Sequence, residues 1–182
     1  MKSIGFKEWE VVCRALGKGE QTVILRKGGI AEGRDGFAFR HKEFFLFPTF
    51  FHEQIEKTRL KDAVIEQPNE SQVKIQFFAK IMHACRIDLW ETVAALERFH
   101  ILKQSVVRER FEDARAPGIH AALVRVFRLD QSWILPNEKR YAGCRSWVEL
   151  PDLPAAIRLE PVLGDTEYAA VERSFLGTIE SN

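Results

Sequence analysis

No apolar run in this chain of 182 residues approaches the roughly 18 residues that a membrane-spanning helix needs, so a helical membrane protein is excluded. Cysteine is scarce: Cys13, Cys85 and Cys144 are far apart, odd in number and form no Cys-x-x-Cys pair. That argues against a disulfide framework and a zinc knuckle, and fits a reduced, cytoplasmic protein. An excess of one charge is also missing, with 27 Lys+Arg against 26 Asp+Glu and a formal net charge of +1. Residues 1–8 carry no apolar stretch after Lys2 and meet acid at Glu8, so no signal peptide is expected there. Internal repeats and low-complexity tracts are absent too.

What is present is an ordinary globular composition, 46% hydrophobic and 29% charged, which rules out a disordered or fibrous chain. The length suits one domain with a real core. The expected organisation is a single α+β domain over residues 1–150, followed by an acidic extension, 151–182, whose terminal helix packs on it. The balanced total hides that asymmetry. From Glu149 onward seven acids face only Arg158 and Arg173, a net −5, whereas residues 1–148 hold 25 basic against 19 acidic side chains, a net +6. The densest basic stretch is 26–42, where Arg26, Lys27, Arg34, Arg40 and Lys42 outnumber Glu32 and Asp35 beside His41. A modest basic patch of this kind favours polyanion contact without requiring it.

Local patterns predict the elements. Phe6, Trp9, Val12 or Cys13, and Leu16 recur at helical spacing, with Gly17 placed for a left-handed cap. Residues 21–27 read as a strand, ended or bulged by Gly28-Gly29. Asp35-Gly36 reads as a hairpin-type turn, and seven of the 14 phenylalanines then fall between Phe37 and Phe51. Residues 37–40 and 44–47 suit two short strands, the second terminated by Pro48, with a weak helix over 52–64 capped by Thr49. A strand lying within 73–87, a helix capped by Asp88, further helix to Phe111, a strand over 121–129, a loop over 133–138 and a short strand over 146–150 follow. A last helix is expected, capped by Asp165 or Thr166 and closed by Gly177. This order implies an α+β fold with a curved, mainly antiparallel β-sheet and flanking helices.

Several words in the chain are rare and occur in one order: Phe6-Lys7-Glu8-Trp9, Leu25-Arg26-Lys27-Gly28-Gly29-Ile30, Leu46-Phe47-Pro48-Thr49 with His52-Glu53, His100-Ile101, Arg110-Phe111, and the run from Tyr141 to Glu149. Over roughly residues 5–150 the chain resembles the bacterial family called domain of unknown function 1802; Leu102 departs from it, where the family is expected to carry Trp. The family name carries no activity. Its members stand beside, or fused to, restriction-endonuclease-type domains, so the resemblance implies a link to DNA restriction or modification and a restriction-system protein as partner. A looser likeness joins the helix ending at Ala15-Leu16-Gly17-Lys18-Gly19 and the strand from Thr22 to Arg26 to the opening of the PUA-like barrels of the ASCH and EVE groups. That likeness implies a small barrel that handles RNA or modified DNA, by analogy.

The constellations that carry chemistry each have a bland competitor. Arg26, Lys27, Arg34, Arg40, His41 and Lys42 around two glycines offer guanidinium and ammonium groups beside freed backbone amides, which is what a phosphate cradle needs. The competing reading is a bulge with solvated charges. The stretch does not match Gly-x-x-x-x-Gly-Lys-Ser/Thr, so nucleoside triphosphate binding has no support. The clustered phenylalanines are too many to expose and belong in a core. Trp147 and Tyr141, flanking Gly143, are better stacking candidates, though rings of this size are usually buried.

His52-Glu53 lacks a second histidine four positions on, so the zincin motif is absent and a capped helix start is the simpler account. Asp62 with Gln72-Val73-Lys74 satisfies the letters of a magnesium-dependent restriction nuclease, yet supplies one carboxylate where several oxygens are wanted. Cys144 next to Gly143 has no His or Asp tied to it, and a small thiol is its default.

The expected function is therefore a nucleic-acid-binding module for DNA or RNA. Arg26, Lys27, Arg34, Arg40, His41 and Lys42 would face phosphates, and His52, Arg110 and Trp147 bases or sugars, with no metal or cofactor. The alternatives are a nuclease using Asp62, Gln72 and Lys74, and a protein-interaction subunit without nucleic acid.

Overall fold

The structure is a computed structural model that describes residues 3–27, 38–60, 69–112 and 117–181. Its strands are β1 (Ser3–Trp9), β2 (Val23–Lys27), β3 (Glu43–Thr49), β4 (Gln72–Ile87), β5 (Ile119–Pro136), β6 (Trp147–Leu150) and β7 (Leu159–Pro161). The helices are α1 (Glu10–Leu16), α2 (Trp90–Ala95), α3 (Gln104–Glu112) and α4 (Asp165–Glu180). The strands form one sheet in the order β2-β5-β4-β3-β1-β6, with β7 added along β5. Every pairing is antiparallel except β1 with β3. The fold is α+β with an open, curved, mainly antiparallel sheet, as the element order implies.

The long β4 and β5 form the spine. Their register shifts between Ile75 and Phe77 and again between Ile81 and His83. Each irregularity adds twist and bend, which lets two strands this long curl instead of lying flat. The larger core lies inside that curl and includes Phe6, Leu16, Ile24, Phe44, Leu123 and Phe175. Phe175 is fully buried on α4, and Arg98 ties that helix down through the Ser174 carbonyl at 3.3 Å and Thr178 Oγ1 at 2.6 Å. A second cluster, built on Phe45, Phe47, Phe78, Trp133 and Tyr141, fills the other face of the sheet.

Several local expectations are corrected, each by tertiary context. The stretch from Ser3 to Trp9 is a strand instead of the start of a helix. It sits between β3 and β6, and that pairing outweighs the helical spacing of Phe6 and Trp9. Only Glu10–Leu16 is helical, and Gly17 has φ −71°, so the left-handed turn falls at Gly19 with φ 75°. Gly17 is required for another reason: a Cβ there would overlap the Phe77 ring.

Residues 38–40 form no strand, and Phe37 lies outside the described residues. β3 runs through Pro48, which pairs with Glu8. The expected helix after it is a run of turns from 52 to 57, because the Thr49 hydroxyl donates to the Glu8 carbonyl at 3.0 Å instead of capping a helix. Asp88 does not cap α2; its carboxylate accepts from Arg86 Nε at 2.7 Å, and Leu89 stands at the cap. Residues 133–136 belong to β5, paired with the start of β4, so the loop expected there is strand. α4 begins after Gly164, with Glu167 accepting from the Gly164 amide at 3.0 Å, and continues past Gly177 to Glu180.

Candidate functional site

β2 stands at one end of the strand order and β1 near the other, yet the curl brings them together. No ladder joins them; arginine side chains do. Arg26, near the end of β2, donates through its Nη2 to the Lys7 carbonyl of β1. The same guanidinium lies 3.6 Å from Glu8 Oε2 and 4.6 Å from the centre of the Phe6 ring. Arg110, on α3, donates to the Leu25 carbonyl of β2 at 2.8 Å and lies 4.7 Å over the Trp9 ring. The two arginines therefore satisfy strand-edge carbonyls that a closed sheet would pair, and they leave a seam between β1 and β2.

Glu8 is the counter-charge inside that seam. It is buried, its Oε1 accepts from the Trp9 amide at 2.9 Å, and its Oε2 faces Arg26. The reason a carboxylate sits there is local: β1 alternates, so Phe6 and Glu8 both face inward, and an inward charge is tolerable only beside a cation. Burial pulls the Arg110 guanidinium down to about 10, opposed by Glu8 and helped by the nearby Arg26. It stays charged at neutral pH. Arg26 Nε is buried without a partner.

A cleft of about 410 Å³ opens over the seam, lined by Trp9, Arg26, Lys27, Phe51, Lys57, Val106, Glu109 and Arg110. Four cations face one acid across it. Trp9 and Phe51 meet edge to face at 4.9 Å and 64°, forming an aromatic wall. Lys57 forms no ion pair among the described residues. Its segment is fixed by its neighbours, since the Lys103 amide donates to the Lys57 carbonyl at 3.0 Å and the Arg59 amide to the Ile101 carbonyl at 2.8 Å. Gln54, fully buried, links the turn to α1 by accepting from the Val11 amide at 3.1 Å. Such a cleft can attract an anion and present a ring face to a planar group.

Of the residues singled out from sequence, Arg26, Lys27 and Arg110 meet in this cleft, and Arg110 arrives from α3, 84 positions after Arg26. Arg40 and Lys42 are exposed, next to Phe39, which packs 6.1 Å from Phe6. His41 lies edge-on to Trp147 at 5.0 Å, and Trp147 packs against Phe6 at 4.7 Å and Phe44 at 5.3 Å. The Trp147 ring is thus engaged in packing and does not line the cleft. His52 is exposed in the turn beside Phe51. Arg34 and Asp62 lie outside the described residues.

Gln72 and Lys74 line a different, smaller cleft with Glu10 and Arg14. Among the described residues no group of three or more His, Cys, Asp or Glu converges as for a metal ion, and no helix is long and apolar enough to cross a membrane. Sequence reasoning missed Trp9, Phe51, Lys57 and Glu8. A usable signal was Phe50-Phe51, two consecutive large apolar residues just after a strand ends, which cannot both face one core.

The family model named "Domain of unknown function (DUF1802)" matches residues 5–174. The chain belongs to this family. No curated protein matches it in sequence. Among solved structures it is similar to the ASCH protein of Zymomonas mobilis, at 15% identity and a TM-score of 0.45, covering 94% of this chain and 94% of that one. A point mutant of the same Zymomonas mobilis protein aligns at 16% identity and a TM-score of 0.43, covering 94% and 95% of the two chains. The match to the DUF1802 family includes the seam and the first ten residues of α4.

Proposed function

We propose that this DUF1802 chain is a nucleic-acid-binding module whose contact surface is the cleft over the β1–β2 seam. The observation that carries the reading is the convergence of Arg26, Lys27, Lys57 and Arg110 with the rings of Trp9 and Phe51 around about 410 Å³. Cations with aromatic walls suit a ligand that repeats phosphate and flat base, because phosphate contacts supply affinity and ring faces accept any base. Lys27 and Lys57 reach phosphates. Arg26 and Arg110 are partly committed to strand carbonyls, so they set the local potential and hold the rings in place. Glu109, the acid of the cleft, can accept from an exocyclic amine. Arg40 and Lys42 extend the cationic surface beyond Phe39, with His41 between them, toward a longer ligand.

The test is a salt titration of binding to labelled DNA and RNA oligonucleotides. Each phosphate neutralised on a single strand contributes about 0.7 to the slope of log affinity against log salt. Lys27→Ala/Lys57→Ala is expected to lower that slope by about 1.4, two phosphates lost. Binding that is absent, or indifferent to salt and to this double substitution, removes the reading.

A further inference from the structure

The turn at residues 48–51 separates two depressions. Phe51 faces the seam cleft with Trp9, while its neighbour Phe50 is 41% exposed and lines two adjoining hollows of about 210 and 320 Å³. Those hollows share Pro48, Phe50, Asn69 and Gln72 but lie on opposite faces of the sheet, one over Leu46 and Phe77 and the other over Phe47 and Tyr141, so together they make a groove that passes around the end of β3 with Phe50 at its border. The same division occurs one strand away, where Trp9 lines the seam cleft and Glu10 the groove. Two chain segments therefore cross between the depressions in a single residue step each, about 3.8 Å between adjacent Cα atoms.

The groove is built differently from the cleft. Lys7, Arg14 and Lys74 are nearly offset by Glu10 and Glu70, so its charge is close to neutral. Lys74 is exposed and forms no ion pair among the described residues, while Lys7 is turned to the Gly143 carbonyl at 2.9 Å. Glu10 Oε1 takes a hydrogen bond from Arg14 Nε at 2.9 Å, and Glu10 Oε2 is buried without a hydrogen-bond partner. The exposed Phe50 ring matches the face of a base.

We infer that the polynucleotide binds as a single strand that leaves the seam cleft, crosses the turn at 48–51 and lays a second base on Phe50, with Lys74 touching the phosphate beyond it. This rests on the nucleic-acid reading above and adds the strandedness and path of the ligand. Single strands are required because ring platforms on both sides of a narrow turn need base faces that a duplex keeps stacked inside. Since the groove is near neutral, the affinity it adds comes from stacking and is only weakly sensitive to salt, in contrast to the cleft.

The experiment compares labelled oligothymidylates and oligouridylates of about four and about twelve nucleotides, lengths at the two ends of one binding site, with a duplex of the longer length. For the whole chain, the longer strand is expected to bind about tenfold more tightly than the shorter, and the duplex no better than the shorter strand. Phe50→Ala should abolish that tenfold gain without changing the short-strand affinity, Phe50→Leu should restore little of it, and Lys74→Ala should remove a smaller part. The DNA and RNA series separate a ribose-dependent from a ribose-independent ligand; either outcome is compatible with the path if Phe50→Ala removes the gain. A length gain that survives Phe50→Ala, or a duplex bound as tightly as the long strand, overturns the path while leaving the seam cleft intact. Loss of all binding at both lengths in the unsubstituted protein overturns the seam reading and the path together.

Discussion

Two aromatic regions of this molecule have opposite fates. On one face of the sheet, rings meet rings: Phe45 lies 5.1 Å from Phe78 and 5.2 Å from Trp133, and Phe47 lies 5.3 Å from Tyr141, all buried. At the seam, rings meet guanidinium groups as well as other rings, with Arg26 over Phe6 and Arg110 over Trp9. Both arrangements satisfy the electron-rich ring face, one with a ring edge and the other with a cation. The difference lies in what each brings along. A ring cluster excludes water and closes. A cation needs a counter-charge and hydrogen-bond acceptors, so the seam imports Glu8 and keeps a polar opening. Aromatic density alone therefore does not distinguish the seam, nor does a cation over a ring, since Arg140 lies 5.0 Å over Tyr141 on the other face; the buried Glu8 and the arginine-bound strand carbonyls do.

The comparison can be broken first on the ring-on-ring side. Trp133 is 5% exposed and edge-on to Phe45, so Trp133→Ala leaves a cavity in a packed cluster. It is expected to cost about 4 kcal/mol in urea unfolding, with oligonucleotide affinity of the folded fraction unchanged. Glu8→Gln attacks the seam instead. It keeps the acceptor for the Trp9 amide but removes the charge between Arg26 and Arg110, and breaking a buried pair of this kind costs about 3 kcal/mol. If Glu8→Gln is neutral in urea unfolding, the carboxylate does not hold the seam.

A third effect, somewhat smaller, depends on pH. His100 is 3% exposed and its Nδ1 has no partner; burial, and then Arg59 and Arg110, push it down to about 4 from 6.5. Between those values the unfolded chain binds a proton that the folded chain refuses, so stability rises with pH and is lost as pH falls from 6.5 toward 4. Going from pH 7 to pH 4.5 should cost about 2 kcal/mol through this group alone. His100→Gln should flatten that part of the curve. Because His100 neighbours Arg59, whose guanidinium donates to the Glu97 carbonyl at 2.6 Å and to the His100 carbonyl, the acid weakness lies behind the seam and away from the ring-on-ring face.

The sequence showed the spine of this fold more clearly than its ends. The β-branched and apolar runs at 23–27, 73–87 and 121–129 are strands because their burial pattern is written locally. Residues 3–9 are spaced like a helix, and only pairing with β3 and β6, more than 30 positions away, makes them a strand. The same limit applied to the cleft. Arg26 and Lys27 were visible as a charged pair near glycine, and Arg110 as a residue of a family word. Their meeting with Trp9, Phe51 and Lys57 depends on the curl that two register shifts give to β4 and β5, which no window of the sequence displays. Trp147 drew attention as a ring beside a glycine turn, but its neighbours Phe6 and Phe44 come from distant strands.

The smallest expected effect on stability separates the two regions most sharply. Lys27 and Lys57 line the cleft, and replacing a lysine outside the buried core changes stability by about 0.5 kcal/mol or less. Lys80 and Lys139 make the matched pair on the ring-on-ring face: Lys80 pairs with Glu43 at 2.8 Å and stands 6.0 Å from the Phe78 ring, and Lys139 precedes Tyr141 in its short helical turn. Lys80→Ala/Lys139→Ala removes the same formal charge and should be as mild in urea unfolding. The two doubles should then part company in a salt titration of oligonucleotide binding. The cleft double is expected to lose slope, and the ring-face double to keep it, because counterion release counts only the phosphates actually touched and not the net charge of the protein. Equal losses from both would mean that the cations act as a diffuse field, and that the seam is a structural repair of an open sheet and nothing more.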